Sequence, residues 1–331
     1  MLPCMNKLIN RSNRLLIVVS SVALLLLIIY SLSVGCGKTA GSTSLAAMPT
    51  PRAFVCTGVI SGEIYALGGA TSLSGTVVFS SALERYSPVT NSWTSLAPMP
   101  AGSPITPIQA TVFDNKLYAS AFSMYNSDIF VGSFETYNPD TNTWTRVNKL
   151  IEYAAKPVAV NNAIYLFGGV NDGLSTETEA YYPFTGTSEM RASMHSPKII
   201  FGAAVDETDI YLFGGQIGSY EATSEVEKYD TVGNVWTQLT PMPMTQIGPS
   251  TAVVGNKIYV FGGFVDGRRI PIQTLEAYDI IHDSWEAVAN ISRFVIGFPA
   301  PQVSGKIYLI GGVSYSNTLE VSGAVEEFTP R

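Results

Sequence analysis

The chain has 331 residues but only three cysteines, Cys4, Cys36 and Cys56, and two histidines, His195 and His282. Beyond residue 43 one cysteine remains, so no disulfide framework can staple the body. Cys56 lies in the apolar run AFVCTGVI and reads as a buried, inert thiol. Lys/Arg runs and basic–aromatic stripes are also missing. Residues 1–43 hold Lys7, Arg11, Arg14 and Lys38 with no acid, which leaves 15 basic against 26 acidic side chains in the rest, a net of about −11. That balance repels phosphate backbones and anionic lipid, so nucleic acid is not an expected partner. Disorder is excluded by a 46% apolar content with only 14% charged residues, the composition of a packed globular body.

What is present begins with an address. Leu15–Val34 reads LLIVVSSVALLLLIIYSLSV, twenty residues without a charge, preceded by three cations. As a helix it would be about 30 Å long, enough to cross a bilayer. The cation bias places residues 1–14 in the cytoplasm and the remainder outside it. The apolar core is longer than a cleaved signal peptide needs, which favours an uncleaved transmembrane signal anchor over 15–34 with a linker over 35–43. Two further readings stay open. LSVGC at Leu32–Cys36 resembles the bacterial lipoprotein box, with Cys36 as the acylated residue and Ser33 as its departure, and a cleaved, secreted form is the other. Each of them puts residues 44–331 outside the cytoplasm, at a cell surface or in a periplasm.

The body is a repeat. IYALGG at Ile64, LYASAF at Leu117, IYLFGG at Ile164 and Ile210, IYVFGG at Ile258 and IYLIGG at Ile307 recur at intervals of 53, 47, 46, 48 and 49 residues. A period near fifty in short β-rich segments is the signature of a propeller, one four-stranded blade per copy. Each copy then has a Glu two residues before an aromatic and usually a Trp seven after it: ERYSPVTNSW, ETYNPDTNTW, EKYDTVGNVW and EAYDIIHDSW show all three. The Pro, Asp, Asn and Gly residues between aromatic and Trp form turns, so this second feature is a hairpin.

On these residues the chain resembles the Kelch repeat family over residues 44–331: double glycine, Tyr, and Trp after six intervening residues. The second copy lacks its glycines, the third (EAYYPFTGTSEM) lacks the Trp, and the sixth has Phe328 for Tyr. The expected fold is all-β, a six-bladed propeller of four-stranded antiparallel blades, preceded by one N-terminal hydrophobic helix. In each blade, strand A is the apolar run before the motif, B the motif itself, C the Glu-x-aromatic segment and D the Trp segment. The sixth copy stops after strand C at VEEFTPR, and STSLAAMPTPR at Ser42–Arg52 resembles the D segment SWTSLAPMP, so residues 42–48 are expected to supply the last outer strand and close the ring. A–B and C–D turns then share one face, turned toward the membrane by the short linker, and B–C and D–A loops share the other.

A phosphate cradle needs glycines opening a helix, whereas here they lead into another strand. His195 falls in a D–A loop and His282 in a C–D turn on the opposite face, so no metal site or cofactor is expected. Glu84, Glu135, Glu179, Glu227, Glu276 and Glu326 occupy the same strand C position once per blade, which points to structure rather than catalysis, and the four Trp residues follow the same logic. No catalytic residue is assigned. What does not repeat is the better place for recognition. In Kelch modules that bind peptides, basic and polar D–A residues line the channel mouth. That resemblance implies Arg52, Glu152, Lys198, Gln246 and Arg293 as candidate ligand contacts, and Tyr220, Phe264, Arg268 and Arg269 of the B–C loops share their face. The favoured function is an extracytoplasmic binding module for a protein, peptide or glycan. The alternative is a secreted sugar-active enzyme resembling sialic acid mutarotase.

Overall fold

In the computed structural model the described residues are 42–330, apart from 75–76, 101–106, 126–128, 152–153, 171–172, 220, 266–269, 291–296 and 316–318. The N-terminal helix expected over 15–34 lies outside them. Among the described residues no helix is long and apolar enough to cross a membrane.

Six four-stranded antiparallel sheets are arranged as the repeat predicts. Blade 1 consists of strands A to D at Cys56–Ile60, Glu63–Leu67, Leu83–Ser87 and Ser92–Ser95. Blades 3, 4 and 5 repeat this order from Lys156–Val160, Gly202–Asp206 and Ser250–Val254. In blade 6, A, B and C are Gln302–Val303, Lys306–Ile310 and Val325–Phe328, and the fourth strand is Ser42–Leu45, paired antiparallel from Ser42 with Phe328 to Leu45 with Val325. The first described strand of the chain is thus hydrogen-bonded to the last, which leaves no open seam in the ring.

The glycine pairs explain how each blade turns. All ten glycines of Gly68–Gly69, Gly168–Gly169, Gly214–Gly215, Gly262–Gly263 and Gly311–Gly312 have positive φ, a region open to glycine at little cost. At Gly168 a Cβ would also lie 2.4 Å from the Lys198 carbonyl oxygen, so the neighbouring D–A loop packs directly on the backbone there. Blade 2 is the control: with Ala121 and Phe122 in place of glycines its B strand does not break, and Lys116–Tyr125 pairs with Ile129–Asn138 as one long hairpin.

Hydrophobic clusters sit at the six blade interfaces, not within single blades. Between blades 3 and 4, for example, Tyr165 and Phe167 pack on Tyr229 and Trp236, with ring centroids 5.6–6.0 Å apart. Each buried aromatic contributes through apolar area and edge-to-face contact, so adjacent blades hold one another. The A strands of neighbouring blades touch, ringing a central channel.

Candidate functional site

The repeated polar residues are tied into the fold and are not free to bind. In four interfaces the hairpin residues make one clasp. Tyr137 O–H donates to Asn142 Oδ1 at 2.7 Å, the Ala97 N–H donates to the same oxygen at 2.8 Å, and Trp144 Nε1 donates to the Ala97 carbonyl at 2.8 Å. Tyr86–Asn91–Trp93 does the same on Ala46, Tyr229–Asn234–Trp236 on Ala192 and Tyr278–Asp283–Trp285 on Thr240. One residue of the preceding blade thereby has both backbone groups satisfied.

The strand C glutamates form an inner belt. Glu84, Glu135, Glu227, Glu276 and Glu326 are buried. Arg52, with no exposed surface, pairs with Glu84 Oε2 at 2.7 Å and donates further to the Gly68 and Ala82 carbonyls at 2.7 and 2.8 Å. Desolvation lowers the Arg52 pKa, and Glu84 acts against that shift. Lys198, equally buried, pairs with Glu227, which also accepts from the His195 backbone N–H at 3.0 Å and lies 2.8 Å from His195 Nδ1. Gln246 occupies the equivalent place beside blade 5 and is 1% exposed.

This corrects the sequence expectation for three positions. A side chain without accessible surface makes no direct ligand contact, and none of Arg52, Lys198 and Gln246 lines the channel. The D–A loop crosses over the next blade's strand C, where a buried carboxylate requires a partner, and the loop supplies a cation for it at Arg52 and Lys198. Glu152 and Arg293 lie outside the described residues, as do Tyr220, Arg268 and Arg269. Phe264 is buried against Ile247 at the mouth of the channel.

Among the described residues the channel offers a ligand a cavity of about 690 Å³. Register sets its floor plan. Cys56, Gln109, Lys156, Gly202 and Ser250 pair with Leu67, Ser120, Phe167, Phe213 and Phe261, the strand B residues just before the glycine positions, so they form one ring beneath the mouth. Above that ring, two residues before the ring position, which is Pro299 in blade 6, the backbone enters the left-handed region in five blades, at Phe54 (φ 56°), Ala154 (61°), Ile200 (54°), Gly248 (67°) and Gly297 (68°). Neighbouring loops are tied together there: Phe54 N–H donates to the Gly297 carbonyl at 2.6 Å and Gly248 N–H to the Ile200 carbonyl at 2.7 Å. Glycine fits this conformation, whereas Phe and β-branched Ile hold it under strain of about 1–3 kcal/mol each. Both side chains line the channel, with Phe79 and Phe264 beside them.

In sequence these wall residues are hidden, because strand A reads as an apolar run. The signal was there: the ring position lies eight residues before each strand B motif and reads Cys, Gln, Lys, Gly, Ser, Pro around the six copies.

A family profile described as the KLHDC2/KLHL20/DRC7 Kelch-repeats domain matches residues 154–321, and one described as the Kelch motif matches residues 51–100. The chain belongs to the Kelch repeat family. Among curated Kelch relatives, the Kelch-like protein terF of Aspergillus terreus is 26% identical over 255 residues, 71% of this chain and 54% of that protein. Kelch repeat and BTB domain-containing protein 3 of Mus musculus is 28% identical over 210 residues, 60% of this chain and 33% of that protein. The chain therefore spans from a third to about half the length of these relatives. A solved structure titled "Structure of YjhT" superposes with a TM-score of 0.71 over 85% of this chain and 95% of that one, at 15% identity, which shows a shared fold.

Proposed function

We propose that this Kelch propeller is a binding module that takes a protein, peptide or glycan ligand at the channel mouth formed by its D–A and B–C loops, outside the cytoplasm. The observation that carries this reading is the strained pair at the mouth. Phe54 and Ile200 hold left-handed backbone where two other blades use glycine, and their side chains line the opening. Strain retained at the rim of a cavity fits recognition better than stability. The cavity volume lies within the range of ligand sites. The extracytoplasmic placement is supported by the Leu15–Val34 run and the cations before it.

The test is a peptide and glycan array probed with the full chain and with Phe54→Gly. This change deletes the ring and relieves the backbone, so melting should change little while capture is lost. Undiminished capture by the variant would move the site off the mouth.

A further inference from the structure

Among the described residues that line the channel, Lys156 alone carries a formal charge at neutral pH. Every other cation described above is matched to a carboxylate, but among the described residues Lys156 meets none: its Nζ donates to the Phe201 carbonyl of the next blade at 3.1 Å. An ammonium has three N–H donors, so two are left for a ligand or water. Gln109 stands at the same level on the adjacent blade, and among the described residues its carboxamide makes no hydrogen bond. Above both is the apolar rim of Phe54, Phe79 and Ile200. Burial lowers the Lys156 pKa to about 8, the mark of a cation held without a counter-ion.

We infer that the channel binds a small monocarboxylic acid with an apolar body, its carboxylate held by Lys156 Nζ and the Gln109 amide and its body under Phe54, Phe79 and Ile200. This rests on the mouth being a binding site and adds a ligand chemistry, one carboxylate on an apolar body, to the protein, peptide or glycan classes proposed above. One cation matches one anionic charge. A multiply charged phosphate ester would meet a single ammonium inside a strongly acidic body, whereas a monoanion is neutralised in place. A carboxylate takes charge-assisted hydrogen bonds from the ammonium and one from the amide, and the rim removes apolar surface from water.

The experiment is titration calorimetry on the full chain in lipid nanodiscs with 4-phenylbutyrate and its neutral isostere 4-phenylbutan-1-ol. The acid should bind at least about tenfold more tightly, the worth of one charge-assisted hydrogen bond. That preference should vanish in Lys156→Gln and persist in Lys156→Arg. On the wild type alone the preference should shrink as pH rises from 7 to 10 and Lys156 loses its proton. Cys56, the other titratable group on this wall, has its pKa pushed up to about 12 by burial and stays a neutral thiol across that interval. Equal binding of acid and alcohol at pH 7, or a preference that survives Lys156→Gln, overturns the inference. An array ligand whose capture needs Phe54 and not Lys156 would also overturn it, and would leave the binding module standing.

Discussion

The outer clasps and the channel wall are built from the same repeats by opposite rules. In the clasps, four interfaces use one geometry, with Tyr O–H to Asn or Asp oxygen at 2.7–2.8 Å and Trp Nε1 to a neighbouring carbonyl at 2.8–3.0 Å. On the wall, one level of the ring presents a thiol, an amide, an ammonium, a glycine and a hydroxyl from five blades. Sameness in the clasps holds blades in register, and difference on the wall leaves room for a ligand of particular shape and charge. The inner belt belongs with the clasps, since its cations answer buried glutamates.

The comparison is most severely tested at the closing strand. Deleting residues 42–48 removes the partner of Val325–Phe328, the buried Met48 and the Ala46 clasp of Trp93. Chemical denaturation should show a loss above about 4 kcal/mol, more than most single substitutions cause. Next is Arg52→Met, which strands the buried Glu84 carboxylate and should destabilise by about 3–5 kcal/mol. The double change Arg52→Met with Glu84→Met should recover much of that loss. Failure to recover would mean that Arg52's carbonyl contacts outweigh its ion pair.

Smaller still is Tyr137→Phe, which removes one hydrogen bond from a clasp and leaves the ring, for about 1 kcal/mol. The sixth blade already has Phe328 at this position.

The mildest change is Glu276→Gln. Glu276 faces the neutral Gln246 position instead of a cation, among the described residues its Oε2 and the Gln246 Oε1 have no hydrogen-bond partner, and burial raises its pKa. A raised carboxyl pKa means the folded state holds its proton longer than the unfolded chain, so wild-type stability falls as pH rises from the ordinary Glu value through the folded one. The variant lacks that loss. Its stability relative to wild type should therefore improve between pH 4 and 7 in paired melts.

Architecture was legible because it is written six times. The motif period gave the blades, the Tyr-to-Trp spacing gave the hairpins, and the likeness of Ser42–Met48 to a D segment pointed to the strand that joins blade 6. The site was less legible. Arg52 and Lys198 look like loop cations in sequence, and only the crossing of each D–A loop over the next blade shows them inside. Lys156 begins an apolar strand and so passes for an exposed edge residue, until register brings it level with Gln109 on the axis. Left-handed backbone at Phe54 and Ile200 carries no sequence signal except by alignment with Gly248 and Gly297.

The most direct measurement is the thermal shift produced by saturating 4-phenylbutyrate on three forms of the full chain: wild type, Trp93→Phe and Lys156→Gln. Ligand that binds only the folded state raises melting by mass action. If clasps hold the fold and the wall holds the ligand, Trp93→Phe melts lower yet gains the same shift as wild type, and Lys156→Gln melts near wild type and gains none. A full shift in Lys156→Gln, or its loss in Trp93→Phe, would contradict that division.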